Sequence, residues 1–220
     1  MSKALLFDLD GTLLMSDPLH YAVFAEMFAA RGRVLTPAIY ASDIHGTHNL
    51  DSFPKLFPGE DAQGLSDAKE AMFRDRLGDG AAPMPGLVAL LDLAATRGWA
   101  TAVVTNAPRP NALHMLDAIG LRARFDPVVI GDECTRAKPD PEPYLVAMRA
   151  LGLRPQDCIA FEDSESGMAA AAASGAHAVG IRSGLDDARL RAAGAAITIQ
   201  DFNDDALPDV LARLAGETTQ

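Results

Sequence analysis

The apolar positions near the start of the chain form a short continuous run that ends in two acidic residues. Residues 4–14 read Ala-Leu-Leu-Phe-Asp-Leu-Asp-Gly-Thr-Leu-Leu. A continuous apolar run is typical of a parallel strand buried on both faces, and such sheets bind ligands beyond the carboxyl ends of their strands. Because side chains alternate along a strand, Asp8 and Asp10 are expected to project to the same side. We therefore predict two carboxylates facing a crevice at the end of the first strand.

A helical pattern follows this strand. Asp17 and Pro18 are typical of a helix start, and the apolar residues after them recur at helical spacing until Gly32. Further helical patterns continue to Leu77 without a convincing strand, and a Pro- and Gly-rich segment begins at Ala81. The pattern predicts an all-helical insertion over residues 16–84, with the core formed by residues 1–15 and 85–220.

Short apolar strands alternate with helices in the remainder of the chain. The predicted strands are residues 100–104, 127–130, 158–161, 178–181 and 196–199. Helical patterns over residues 111–119, 141–151, 167–174 and 205–214 accompany them. Strands separated by helices imply right-handed crossovers and a mainly parallel sheet. The fold class is therefore α/β, with a helical domain inserted after the first strand.

Composition and charge narrow the classes of partner. The chain has 220 residues, a net charge of −11 and 49% apolar residues, which supports a folded core and argues against a broad basic face for nucleic acid or an anionic membrane. Cys134 and Cys158 lack a metal-ligand spacing, and no window is long enough to span a membrane. We expect a cytoplasmic protein with no obligate protein partner.

Polar residues end two further predicted strands. Thr105 and Asn106 follow one strand, Glu162 and Asp163 follow another, and Lys138 lies in a proline-flanked loop between them. Each has an ordinary explanation as a helix cap, a solvated loop charge or a residue complementing a helix dipole. Their joint placement at the carboxyl ends of parallel strands nevertheless favours a binding site.

The close pair of Asp8 and Asp10 requires an offsetting charge. Two carboxylates roughly 4 Å apart repel by about 4 kcal/mol at an effective dielectric constant of 20. A shared proton, a nearby lysine or a divalent cation with oxygen ligands, such as Mg2+, would each relieve this repulsion.

Four motifs in order resemble those of a known family. Phe-Asp-Leu-Asp-Gly-Thr at 7–12, Val-Thr-Asn at 104–106, Lys138-Pro139 and Phe-Glu-Asp-Ser at 161–164 are similar to the four motifs of the haloacid dehalogenase superfamily. The helical insertion is similar to the cap of its subgroup I, which includes phosphoglycolate phosphatases, sugar-phosphate phosphatases and β-phosphoglucomutase. The resemblance implies a Rossmann-like core and a Mg2+-dependent phosphatase acting on a small phosphorylated metabolite.

The resemblance also implies roles for the motif residues. Asp8 would be the nucleophile that forms an aspartyl-phosphate, and Asp10 would protonate the leaving oxygen and then activate water. Lys138 would bridge the nucleophile and the phosphoryl oxygens, and the Thr105 hydroxyl would hold one of those oxygens. The implied Mg2+ ligands are Asp8, the Asp10 carbonyl, Asp163 and, through water, Glu162.

Substrate contacts follow from the same resemblance. Backbone amides of Gly11, Thr12 and Asn106 would hold phosphoryl oxygens. In the cap, His20 matches a histidine common in relatives, and the segment from Gly46 to Asn49 matches a substrate-binding segment. His45 and His48 are further candidates there, although a solvated surface is the favoured explanation for them.

Two alternatives remain open at this point. In a β-phosphoglucomutase-like phosphomutase the phosphoryl group would pass to a sugar, although Asn49 stands where the mutase carries an arginine. In a receiver-like signalling module, which is not an enzyme, an acid at the end of a middle strand would be phosphorylated, and Asp132 is the matching residue. Family dehalogenases generally lack an acid at the position of Asp10, which favours phosphoryl chemistry.

Overall fold

The chain divides into two compact units. A computed structural model describes residues 2–44 and 46–216. One unit runs to Met15 and resumes at Ala81, and the other is Ser16–Gly80. We refer to them as the core and the cap.

The second boundary lies earlier than residue 84, where the sequence pattern placed it. The Ala81 amide donates to the Ala118 carbonyl (3.0 Å), and the Met84 amide donates to the Leu13 carbonyl (2.7 Å). Both acceptors belong to the core, so these hydrogen bonds attach the segment after Gly80 to the core.

The cap consists of four α-helices over its described residues. They are α1 (Asp17–Ala29), α2 (Pro37–Asp43), α3 (Asn49–Leu56) and α4 (Ala62–Leu77). Polar side chains cap three of them: Thr36 accepts from the Ile39 amide, His48 from the Leu50 amide and Asp61 from the Gln63 amide. Ring contacts of the cap interior include Phe24 with Phe53 at 5.7 Å between centroids.

The core is built on a six-stranded parallel sheet. Its strands are β1 (Ala4–Phe7), β2 (Ala100–Thr105), β3 (Val128–Ile130), β4 (Cys158–Glu162), β5 (His177–Ile181) and β6 (Ile197–Ile199). Their spatial order is β3-β2-β1-β4-β5-β6. The predicted α/β class with a mainly parallel sheet is confirmed.

Helices connect the strands. They are α5 (Leu87–Thr96), α6 (Arg109–Ala118), α7 (Glu142–Leu151), α8 (Glu165–Ala173), α9 (Asp187–Ala192) and α10 (Leu207–Ala215). The sequence pattern did not predict α9, because this six-residue helix buries a single residue, Leu190, and so shows no apolar periodicity. Within residues 2–44 and 46–216, no helix has both the length and the apolar character needed to cross a membrane.

Both faces of β1 are covered, which explains its continuous apolar sequence. All four of its residues are fully buried. Leu6 belongs to one buried cluster with Tyr144 of α7 and Met168 of α8. Phe7, on the alternate face, contacts the rings of Phe125, Phe161 and Phe202 at 5.1–5.8 Å between centroids. An apolar residue is therefore required at every position of this strand.

The strand order places the end of β1 at the centre of the sheet. The chain moves outward from β1 through β2 to β3, and then returns to the other side of β1 as β4. Phe7 aligns with Val103 of β2 and Phe161 of β4, so the three strands end close together. This reversal of direction is the position at which open α/β sheets form a binding crevice.

We expect Gly86→Ala to destabilise the protein more than Gly98→Ala does. Both glycines have positive φ angles, +79° and +64°, which cost an L-residue roughly 1–2 kcal/mol. A Cβ at Gly86 would also lie 2.5 Å from the Phe202 backbone carbon, whereas one at Gly98 would meet no atom within 4 Å. Urea unfolding followed by circular dichroism should give a loss of about 3 kcal/mol for Gly86→Ala and about 1 kcal/mol for Gly98→Ala. Equal losses would contradict the importance of the Phe202 contact.

Candidate active site

Asp8 is held at the end of β1 by the neighbouring strand. Its amide donates to the Phe161 carbonyl of β4 (2.9 Å), which continues the pairing one residue beyond the strand. The chain then turns at Gly11, whose amide donates to the Leu14 carbonyl. Asp8 is 7% exposed, so its carboxylate is largely removed from water. A carboxylate in this position requires a nearby positive charge.

Lys138 supplies that charge. Its Nζ lies 2.7 Å from Asp8 Oδ1 and 2.5 Å from Glu162 Oε1, and it donates to the Val104 carbonyl at 2.7 Å. An ammonium group has three hydrogens, so these three acceptors match its full donor capacity. The three hydrogen bonds therefore fix both the position and the orientation of the Lys138 ammonium group, the group that was predicted to act in this site.

The backbone of Lys138 is braced by the side chain of Asn106. The Asn106 amide donates to the Lys138 carbonyl, and its Oδ1 accepts from the Lys138 amide, each at 3.2 Å. A Cβ at Gly131 would lie 2.2 Å from this oxygen, so the bracing requires glycine there. Sequence reasoning assigned Asn106 only a backbone role towards phosphate and missed this function of its side chain.

Glu162 is enclosed by donors and by α8. It is fully buried, and its Oε1 accepts from the Tyr144 hydroxyl at 2.7 Å as well as from Lys138. A Cβ at Gly167 would lie 2.0 Å from Oε2, so this carboxylate occupies the space that a side chain would fill. Glu162 therefore cannot turn without displacing its neighbours.

Asp163 lies beside the turn that follows β1. The Ser183 hydroxyl donates to its Oδ2 at 3.1 Å, and a Cβ at Gly11 would lie 2.0 Å from the same atom. Carboxylate oxygens of Asp8, Glu162 and Asp163 all lie within 4.8 Å of one another. An all-oxygen donor set of this kind suits a hard divalent cation such as Mg2+ or Ca2+.

The electrostatics of the site follow from burial and from an excess of negative charge. Burial raises the pKa of Asp8 well above its ordinary value, and Glu162 raises it further, while Lys138 opposes both. Burial alone would lower the pKa of Lys138, but Asp8 and Glu162 outweigh that effect, and the pKa is raised. Lys138 therefore remains an ammonium, and the cluster is still short of positive charge, because three carboxylates face one cation.

Thr105 also lies at this edge of the sheet. It ends β2, is almost fully buried, and its Oγ1 accepts from the Ala107 amide at 3.0 Å. Because a hydroxyl group both accepts and donates, the O–H of Thr105 retains its capacity to donate.

The other predicted core contacts have backbone partners or lie outside the acidic cluster. The Gly11 and Thr12 amides donate to the Leu14 and Leu9 carbonyls, so phosphate binding by these amides stays a prediction. The half-buried Asp10 raises the pKa of Asp8 by its charge. Its side chain is not part of the three-carboxylate group, and its roles as metal ligand and proton carrier also stay predictions.

The predicted substrate residues of the cap have partners within the cap. His20 stacks on Phe73 at 4.2 Å between ring centroids, and the Asn49 amide donates to Ser66 and Glu70. His48 caps α3 through its ring nitrogen, and Gly46 is exposed, whereas His45 lies outside the described residues. Substrate binding by this group stays a prediction.

Two residues of the site were missed by sequence reasoning. Tyr144 lies within the helix predicted over residues 141–151 and Ser183 follows the strand predicted over residues 178–181, and the sequence analysis assigned no role to either. Tyr144 lies six positions after Lys138 and Ser183 lies twenty after Asp163, so no local motif connects them to the site. A search for polar atoms on otherwise apolar helix faces would have singled out Tyr144.

Comparison with known proteins agrees with this fold and site. Residues 2–175 match the profile of the haloacid dehalogenase-like hydrolases. Protein CbbY of Rhodobacter capsulatus is 34% identical over 193 residues, which cover 80% of this chain and 84% of that protein. Hexitol phosphatase A of Escherichia coli is 32% identical over 195 residues, which cover 86% of this chain and 87% of that protein.

A solved structure extends the comparison. The crystal structure of CbbY from Rhodobacter sphaeroides in complex with phosphate is 28% identical, with a TM-score of 0.78 over 92% of this chain and 95% of that chain. Fold and site thus define a hydrolase with a parallel-sheet core and an acidic centre at the carboxyl edge of that sheet. The chain belongs to the haloacid dehalogenase-like hydrolase family.

We expect Gly167→Ala to destabilise the protein, which is opposite to the usual effect in a helix. Replacing glycine by alanine inside a helix normally gains roughly 0.5–1 kcal/mol. Here the new Cβ would displace the carboxylate of Glu162, which is held by Lys138 and Tyr144. Denaturant titration should show a loss of about 1–3 kcal/mol in the free energy of unfolding. A gain would mean that Glu162 moves aside without cost.

We expect Asp8→Asn to stabilise the metal-free protein near neutral pH. An acid with a raised folded-state pKa stabilises the fold below its unfolded pKa, and that contribution is lost as the pH rises through the folded pKa. The variant should therefore be more stable than the wild type near neutral pH in EDTA, and the difference should vanish towards about pH 4, the range of an unfolded aspartate. Lys138 keeps Glu162 as its partner in the variant. Asp132→Asn, at an exposed acid, is the matched control, and a pH-independent difference between Asp8→Asn and the wild type would contradict the argument.

Proposed function

We propose that this chain is a Mg2+-dependent phosphatase that hydrolyses a small phosphorylated metabolite through an aspartyl-phosphate on Asp8. The observation that carries the proposal is the position of the Asp8 carboxylate, 2.7 Å from a buried ammonium and within a group of three carboxylates. An attacking carboxylate and a phosphate ester repel each other, so a site for this reaction must concentrate positive charge around the nucleophile.

Asp8 would act first. One of its oxygens attacks phosphorus as the bond between phosphorus and the ester oxygen breaks, and Asp10 gives its proton to that departing oxygen. The products of this step are the free alcohol and a phosphoryl group on Asp8. Lys138 holds the carboxylate in place and offsets its charge.

Asp10 would act again in the second step. It now carries a negative charge and takes a proton from a water molecule, whose oxygen attacks phosphorus and releases phosphate from Asp8. The Thr105 hydroxyl, at the end of the neighbouring strand, would donate to a phosphoryl oxygen. The enzyme returns to its starting protonation state, with the ester converted to an alcohol and phosphate.

The residues present fit the metal that the family implies. Asp8, Asp163 and Glu162 would hold Mg2+, because their oxygens lie within 4.8 Å of one another. The Asp10 carbonyl would be a further ligand. The ion would supply positive charge to the phosphoryl oxygens. Glu162 would hold the ion through water, since one of its oxygens already accepts from Lys138 and Tyr144.

The proposed substrate class is sugar phosphates or phosphoglycolate-like esters. Support comes from the relative named hexitol phosphatase A and from the related CbbY structure that contains phosphate. The net charge of −11 makes a polyanionic macromolecular substrate unfavourable, because attraction must come from the local site alone.

We expect the purified protein to release phosphate from a panel of sugar phosphates, phosphoglycolate and an aryl phosphate only when Mg2+ is present. EDTA should abolish turnover, and Asp8→Asn should lower it by at least about 10³-fold because the nucleophile is lost. Asp132→Asn should leave it within about twofold, because this exposed acid lies outside the acidic cluster. Turnover that survives in Asp8→Asn would overturn the proposal.

The same assay separates the alternatives. A phosphomutase would isomerise a hexose 1-phosphate faster than it releases phosphate. A receiver-like module would accumulate a stable phospho-form that depends on Asp132 and would show no multiple turnover.

A further inference from the structure

We propose that Tyr144 is a positioning residue that acts through Glu162 to hold the Lys138 ammonium against Asp8. Its consequence for turnover rests on the proposed function, whereas its consequence for stability does not. Tyr144 would touch neither the substrate nor a metal ion.

The contact geometry supports this assignment. Tyr144 lies on α7 and is fully buried, and its hydroxyl donates to Glu162 Oε1 at 2.7 Å. The same oxygen accepts from Lys138 Nζ at 2.5 Å. The Tyr144 ring also lies 5.2 Å from that Nζ, so the side chain contacts the ammonium directly and through the carboxylate.

The Lys138 ammonium group depends on Tyr144 because its three hydrogen-bond acceptors set its orientation, and Tyr144 contacts one of them. The Val104 carbonyl is fixed as part of β2, and Asp8 has a short side chain on a backbone that is held by the Phe161 carbonyl of β4. The third, Glu162 Oε1, belongs to a side chain with rotatable bonds. Tyr144 restrains it from one side, and the close approach to Gly167 restrains its other oxygen. Without the hydroxyl, Oε1 loses one of its two donors, and the carboxylate can shift with the ammonium relative to Asp8.

A different role for the same hydrogen bond makes a different prediction. If Tyr144 served to orient Glu162 towards a metal ion, removing the hydroxyl would weaken metal binding. If it serves Lys138, metal affinity persists and the effects of changing Tyr144 and Lys138 depend on each other. The two roles are therefore distinguishable by direct measurement.

The test variant is Tyr144→Phe, which keeps the ring and removes the donor. We expect kcat to fall about tenfold, the effect of one hydrogen bond to a charged group, and KM to stay within about twofold. Binding of Mn2+, used as a spectroscopic probe and measured by paramagnetic titration without substrate, should stay within about twofold. Tyr21→Phe is the matched control, because it removes a hydroxyl that donates to the Leu35 carbonyl in the cap, and it should leave kcat unchanged.

A double-mutant cycle on unfolding tests the coupling without any substrate. Tyr144→Phe, Lys138→Met and the double variant are compared by urea unfolding in EDTA. We expect the effects of the two substitutions on the unfolding equilibrium constant to be non-additive by at least about fivefold, because both residues bind one oxygen. Glu162→Gln in place of Lys138→Met gives a second cycle if the first variant does not fold.

The outcomes are distinct. Additive unfolding effects within about twofold would overturn the proposal, and so would a loss of Mn2+ affinity that matches the loss of kcat. A wild-type protein that hydrolyses no phosphate ester would overturn the proposed function alone, because the unfolding cycle would still report the coupling between Tyr144 and Lys138.

Discussion

The site depends on a buried ammonium that makes buried carboxylates tolerable. Removing Asp8 and Glu162 from water is costly, and Lys138 offsets that cost by donating to both and to the Val104 carbonyl. The lysine reaches this position from a loop between β3 and α7, so it also ties that loop to the end of β1. One ammonium cannot neutralise three carboxylates, and this deficit of positive charge makes the cluster suited to a cation.

Glycines provide the space for this cluster. Asp163, Glu162 and Asn106 each lie where a Cβ on a glycine would approach within 2.2 Å, the glycines being Gly11, Gly167 and Gly131. Each pair joins segments that are distant in sequence or cross a strand-to-helix junction. The functional side chains are therefore packed against the backbone itself, which restricts their rotation more firmly than contact with another mobile side chain would. The side chains are therefore positioned by the space that glycines leave where other residues have a Cβ, as well as by hydrogen bonds.

The fold was predictable because the burial of a strand shows directly in its pattern of apolar residues. A strand covered on both faces needs apolar residues throughout, and residues 4–7 are all apolar and all buried. The acids and Lys138 could be grouped because strand ends converge. Tyr144 and Ser183 could not, because a tyrosine on an apolar helix face resembles core and a loop serine resembles solvated surface. The cap ends at Gly80, and the Pro- and Gly-rich segment that begins at Ala81 already belongs to the core, because Ala81 and Met84 hydrogen-bond to it.

Substrate choice presents a different problem, because the cap candidates already have structural roles. The Asn49 amide donates to Ser66 Oγ (3.1 Å) and to Glu70 Oε1 (2.7 Å), and that carboxylate also accepts from the buried Lys69 (2.9 Å). A substitution at Asn49 would therefore disturb a buried ion pair inside the cap as well as any contact with substrate. A change in substrate preference after such a substitution identifies a substrate contact only if Ser66→Ala, which removes a partner of the same amide, leaves the preference unchanged.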